Sequence, residues 1–219
     1  MSDKKPSKRF AEITKPKRAA LSRERIEVEA LSLIDAEGID AFSTRKLGAR
    51  LGCEAMSIYH HFPSKAHILD ALVDRTLGGM PVPDKSLTPA QRLRAFAQSW
   101  RELALQHPRF YLWLSVYQWN STTGTRFLSE MLACFYDAGL SPERAAYGFR
   151  GLGYYVQGVA TDESSGYATG PSSLNPVPLD VLERDFPQVA QSRQYFTPDH
   201  FDRIFEIGFG ALLRELGLE

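Results

Sequence analysis

Apolar residues recur at three- and four-residue spacing along most of this 219-residue chain, and the runs are bracketed by Ser or Thr on one side and Gly or Pro on the other. That period belongs to helices with one buried face, and the bracketing residues are those that cap helix ends. Ser22 is placed to cap a first helix carrying Ile26, Ala30, Leu33 and Ile34, with Gly38 at its end. Thr44 is the expected cap of a short second helix, RKLGARL, whose Leu47 and Leu51 form an i,i+4 pair before Gly52. A third short helix begins near Ala55. Its inward stripe is Ala55, Ile58 and Phe62, so Met56, Ser57, Tyr59, His60 and His61 are left largely outward. Pro63 disfavours helical geometry at Phe62, and Ser64 caps the next helix, KAHILDALVDRTLG.

The segment GGMPVPDKS, residues 78–86, holds two glycines and two prolines and reads as a boundary. Beyond it Thr88-Pro89 opens a helix with Leu93, Phe96, Trp100 and Leu103 that stops at His107-Pro108. The aromatic run RFYLWLSVYQW follows. Further helices are expected from about Thr123 to Ala138, from Ser141-Pro142 to about Asp162, and from Thr197-Pro198 to about Leu216. Residues 163–196 are rich in Ser, Gly and Pro with VLERDF as a candidate short helix; a segment of this kind is either a mobile cover over a pocket, the preferred reading, or plain disorder. The expected fold is all-α: an arm at 1–21, a small helix-turn-helix domain at 22–79 and a larger helical domain at 80–219.

A helix, a short helix, a Gly-containing turn and a second short helix with a polar, aromatic outer face is what a helix-turn-helix requires. Ser57, Tyr59, His60 and His61 offer hydrogen bonds to phosphates or base edges, and Met56 and the Tyr59 ring can meet a thymine methyl. Thr44 and Arg45 stand at a helix N-terminus, where amides and dipole favour a phosphate.

TRKLGARLGCEAMSIYHHFPSKAHILDAL resembles the DNA-binding segment of the TetR family of bacterial repressors, whose short recognition helix ends in an aromatic-rich run followed by a Lys-containing helix start. The resemblance covers roughly residues 22–75. It implies DNA contacts at Thr44, Arg45, Ala55, Met56, Ser57, Tyr59, His60, His61 and Lys65. Ala55 and Met56 depart from the more polar or rigid residues of the founding members, so their operator sequence does not carry over.

Charge sharpens this picture. Residues 1–79 hold 14 Lys/Arg against 11 Asp/Glu and the remainder 12 against 15; nine of the basic residues lie at or before Arg25. Such an arm is attracted to phosphates, although a solubilising tail has the same composition. Two cysteines without a CxxC partner, no long apolar run and no secretory leader point to a cytoplasmic, non-membrane protein.

The larger domain carries more aromatic surface than a small helical core needs. Trp100, Phe110, Trp113, Tyr117 and Tyr154, with His107 and Gln157 as polar groups, suit a pocket for an apolar or aromatic small-molecule effector. Two helices are rich in glycine, at a cost of ~1 kcal/mol each relative to alanine. Close approach at Gly151 and Gly208, with the stripe Phe201, Ile204, Phe205 and Leu212, would offset that cost. Intrachain packing could use the same residues, but in the TetR resemblance these helices form a four-helix homodimer interface.

The expected function is a ligand-responsive DNA-binding regulator, a repressor released from a palindromic double-stranded operator, with no cofactor. Two alternatives stay open: a DNA-binding dimer without a ligand, and a metal-dependent helical enzyme using His60, His61, His67 and Cys53. Adjacent histidines diverge by ~100° on a helix, and neither an HExxH motif nor a nucleophile with a nearby base is found, so neither an enzyme nor a metal site is expected.

Overall fold

The computed structural model describes residues 20–166 and 173–219, so most of the basic arm, residues 1–19, lies outside the described residues. Four helices build the N-terminal unit: α1 (Arg23–Glu37), α2 (Thr44–Leu51), α3 (Ala55–Tyr59) and α4 (Lys65–Gly79). The expected stripes meet in its core, where Ile26, Ala30, Leu33, Ile34, Leu47, Ile58, Phe62 and Ile68 are fully buried. Ser22 and Ser64 cap α1 and α4 as expected, accepting from the Arg25 and His67 amides.

The cap of α2 falls one residue earlier than expected. Ser43, in extended geometry, accepts from the Lys46 amide at 3.3 Å, which makes Thr44 the first helical residue and releases its hydroxyl for another partner. Gly52 closes α2 in the left-handed region at φ 69°, where glycine avoids the clash of a Cβ. Gly48 is required for a different reason: a Cβ there would stand 2.8 Å from the Cys53 carbonyl oxygen. The turn can therefore fold back tightly over α2, and the Cys53 amide donates to the Gly48 carbonyl at 2.9 Å.

The larger unit consists of α5 (Pro89–Gln106), α6 (Pro108–Leu114), α7 (Thr122–Asp137), α8 (Pro142–Ser165), α9 (Leu179–Asp185), α10 (Pro187–Ser192) and α11 (Phe201–Glu215). Thr88 forms a reciprocal capping box with Gln91 at the start of α5. The aromatic run after His107 is itself helical, since α6 restarts at Pro108 after a bend at His107. Thr197-Pro198 opens only a single 3-10 turn, and α11 begins three residues later, at Phe201. Centrally, α5 packs against α6, α7 and α8, while α11 lies on α8. A buried Arg101 on α5 ties these layers together, bonding Glu163 of α8 at 2.8 Å and Asp202 of α11 at 2.9 Å. No described helix is long and apolar enough to cross a membrane.

Alanine is the better helix former, yet Gly48→Ala drives a methyl group into backbone. The variant is expected to lose about 1–3 kcal/mol of stability in urea unfolding of the whole chain; unchanged or raised stability contradicts the close approach.

Candidate nucleic-acid interface and effector cavity

Only five residues long, α3 cannot hold its own orientation, and its neighbours fix it at several points. Ile58 and Phe62 anchor it from below. At its far end the Arg23 guanidinium lies 4.0 Å over the Phe62 ring and donates to the His61 carbonyl at 2.5 Å. On the outer side the freed Thr44 hydroxyl and the Tyr59 hydroxyl are hydrogen-bonded at 3.0 Å, linking the start of α2 to the end of α3. Met56, Tyr59 and His60 are consequently held outward, with Ala55, Ser57 and His61 half-buried beside them. Arg45 is exposed and has no bonded partner among the described residues.

Lys65 stands differently. Its ammonium donates to the Phe42 carbonyl at 2.8 Å and lies 5.3 Å over the Phe42 ring. It therefore braces the α1–α2 connection from α4, with two donors left for a phosphate. His67 bonds the Ser64 hydroxyl at 2.8 Å, and among the described residues no three His, Cys, Asp or Glu side chains converge as metal ligands.

In the larger unit a cavity of about 650 Å³ opens between α5, α6, α7 and α8. Trp100, Tyr117, Tyr154 and Gln157 line it, as the sequence suggested. His107, Phe110 and Trp113 do not. They face α1 instead: His107 Nδ1 pairs with Asp35 at 2.5 Å, the Phe110 amide donates to the same carboxylate at 3.3 Å, and Trp113 packs between Phe110 and Tyr117. The bend at His107 rotates α6 so that Tyr111 and Ser115 turn inward in their place. Trp119 is a wall that the initial site assignment omitted, stacked on Trp100 at 5.0 Å with the rings nearly parallel. No described residue of 173–196 lines the cavity, and neither α9 nor α10 buries a residue, so the expected cover is not found there.

The expected interface residues also divide. Phe205 is 2% exposed and stacks on Phe209 at 5.1 Å, inside the protomer. A Cβ on Gly208 would collide with the Tyr155 hydroxyl, which donates to the Ile204 and Phe205 carbonyls; this glycine serves α8–α11 packing within the chain. Phe201 and Leu212 are half-buried, whereas Ile204 is exposed. Gly151, Gly153 and Gly158 have open space where a Cβ would project; Gly153 borders the cavity, and no crowding among the described residues accounts for Gly151 and Gly158.

Residues 27–72 match the profile of bacterial regulatory proteins of the tetR family, and residues 82–218 match the tetracyclin repressor-like C-terminal domain. This chain belongs to the TetR family. The class E tetracycline repressor of Escherichia coli is 28% identical over 157 residues, covering 67% of this chain and 71% of the repressor. The solved structure of ActR, a TetR family protein of Streptomyces coelicolor, in complex with (S)-DNPA is 27% identical; the match covers 90% of this chain and 98% of that one, with a TM-score of 0.65. ActR in complex with actinorhodin matches at 25% identity and the same TM-score, covering 90% and 97%. As a TetR family member the chain is a DNA-binding transcriptional regulator of the ligand-responsive repressor type, a family in which dimers are typical.

Arg45→Met, which removes an untethered cation, is expected to weaken DNA binding and flatten the dependence of log affinity on log salt by about 1, with stability within ~0.5 kcal/mol of the parent. Lys65→Met keeps the stem and removes the brace, and is expected to cost about 1 kcal/mol in thermal or urea unfolding. Equal stability of the two variants would argue against the bracing role.

Proposed function

We propose that this regulator occupies a near-palindromic operator as a homodimer and leaves it when an aromatic small molecule fills the cavity. The observation that carries the proposal is the loop after α6. Its residues 116–120 line the cavity, and the same loop bonds α4: the Tyr117 hydroxyl donates to Asp70, and the Ser121 hydroxyl donates to Asp74 at 2.5 Å. Asp70 and Asp74 lie one turn apart on the helix that follows the recognition helix. An effector that displaces the loop therefore pulls on α4 directly, and α4 carries Lys65, the brace of the DNA-binding unit. The hydrogen bond to Asp70, with lesser help from burial and the Asp70 and Asp74 charges, pushes the Tyr117 phenol up to about 12. The phenol thus stays a donor across the neutral range.

One recognition helix reads only a few base pairs, so useful specificity needs two copies about 34–36 Å apart on symmetric half-sites. Supporting the dimer is an exposed face on α8 and α11: Tyr147, Gly151, Tyr154, Ile204 and Ile207 stand outward, with glycines whose helix cost nothing in the protomer offsets. The release step is a population shift, which requires that the effector prefer the conformer whose helix spacing no longer fits the groove.

Selection of bound fragments from random DNA is expected to return a two-fold-related site; a single asymmetric half-site, or a stable monomer in sedimentation at micromolar concentration, removes the dimer proposal. Tyr117→Phe deletes the bond to Asp70 while keeping the ring. It is expected to leave effector affinity within a few-fold, to reduce the loss of operator affinity that the effector causes, and to cost at most about 1 kcal/mol because the pair is partly solvated. That stability difference is fully present below pH 10, where the unfolded phenol is protonated, and is lost as pH rises through about 12. If Tyr117→Phe responds to effector as the parent does, the loop does not carry the signal.

A further inference from the structure

The polar groups on the cavity wall are not balanced. Its lining includes Arg150 and no carboxylate, while Ser115, Gln118, Asn120 and Gln157 are neutral and can turn either a donor or an acceptor inward. Arg150 is unneutralised among the described residues: its guanidinium donates to the Tyr154 hydroxyl at 3.0 Å and lies 4.6 Å over the Tyr154 ring, with no acid in ion-pair range. Both residues are exposed in the protomer as well as lining the cavity, so they form its edge where α8 borders the proposed dimer face. A second observation points the same way. Trp119, whose ring lies on Trp100, has a buried indole N–H with no acceptor among the described residues, and a buried donor left unpaired costs ~1–3 kcal/mol. The wall offers surplus donors and positive charge to a ligand and asks for acceptors.

We infer that the effector is an acid-bearing aromatic molecule, whose rings lie among Trp100, Trp119 and Phe135 and whose anionic group pairs with Arg150 at the cavity edge. A cationic ligand meets Arg150 and no acid to offset it. A neutral aromatic of the same shape gains the apolar contacts and leaves the guanidinium unpaired. The inference rests on the reading of this cavity as the effector site, and it adds a charge preference that apolar burial alone does not produce.

Two fluorescent probes separate these contributions because they share one ring pair: anilinonaphthalene sulfonate carries an acid, and phenylnaphthylamine does not. Binding to the full-length protein is read from probe emission and from quenching of tryptophan. The sulfonate is expected to bind about tenfold tighter than the neutral probe, the size of one charge-assisted hydrogen bond. Arg150→Gln, which lies outside the protomer core and is to be compared with the parent at equal dimer content in sedimentation, should abolish that preference while holding neutral-probe affinity within about twofold, and Arg150→Lys should retain most of it. Gly153→Trp, which places an indole in the same space, should lose both probes while keeping the helical circular dichroism of the parent. Equal or tighter binding of the neutral probe overturns the acid preference, as does a preference that survives in Arg150→Gln. Failure of both probes to bind the parent, or full binding of both to a folded Gly153→Trp, overturns the cavity reading itself.

Discussion

The seven residues that follow α6 serve two neighbours at once, and the working of the molecule depends on that double use. Side chains of Val116 to Asn120 form part of the cavity wall, while Tyr117 and Ser121 hand hydrogen bonds to Asp70 and Asp74 on α4. Cavity and DNA-binding unit thus share a piece of backbone. The proposed coupling between them needs no long chain of intermediates, because the loop is bonded directly to two carboxylates on the connecting helix. The contact at the other side, where Asp35 of α1 holds His107 and the Phe110 amide, supplies a fixed point against which α4 can move.

The DNA-binding unit is rigid for a related reason. A five-residue helix makes few bonds of its own, so its orientation comes from outside: Phe62 and Ile58 beneath it, Arg23 across its end, and the Thr44–Tyr59 bond on its outer face. The last of these exists because Ser43 took over the capping of α2. Thr44 and Tyr59 both belong to the set that the family resemblance assigns to DNA. Their mutual bond fixes both hydroxyls in place on the outer side of the helix-turn-helix. Lys65 extends the pattern, since its ammonium closes the Phe42 carbonyl from the helix whose Asp70 and Asp74 are bonded by the loop at the cavity.

The family relationship fixes the plan and leaves the chemistry of this member to its own side chains. Relatives at 28% identity or below share the fold and the regulatory logic. The cavity walls are this chain's own, and their surplus of donors describes a ligand by its acceptors. The glycines of α8 fall into two groups by the same kind of reasoning: Gly148 is crowded by Phe135 and Leu216 inside the chain, whereas Gly151, Gly153 and Gly158 face open space.

Helix positions, their caps and the inward stripes of the helix-turn-helix were legible in the sequence, because each depends on residues within one or two turns of one another. Ser22, Ser64, Thr88 and Ser141 act where Ser or Thr preceded an apolar period. The outward placement of Met56, Tyr59 and His60 was legible in the same way, whereas the bracing of the Phe42 carbonyl by Lys65, 23 residues away in the chain, was not. The cavity was legible only in composition. Aromatic residues at 110, 111, 113, 117 and 119 all read alike in one dimension; the bend at His107 then turned Phe110 and Trp113 toward α1, and Tyr111 and Trp119 toward the ligand space. Phe205 and Gly208 likewise fitted either a dimer interface or intrachain packing, and the Tyr155 hydroxyl, 50 residues from Phe205 in sequence, places them inside the protomer. Local sequence determined which segments are helices and which faces are apolar, since backbone propensity and periodicity act over a few residues. Which of two apolar faces meets a neighbouring helix and which meets a cavity was decided by packing in three dimensions, where the contacts come from residues tens of positions apart.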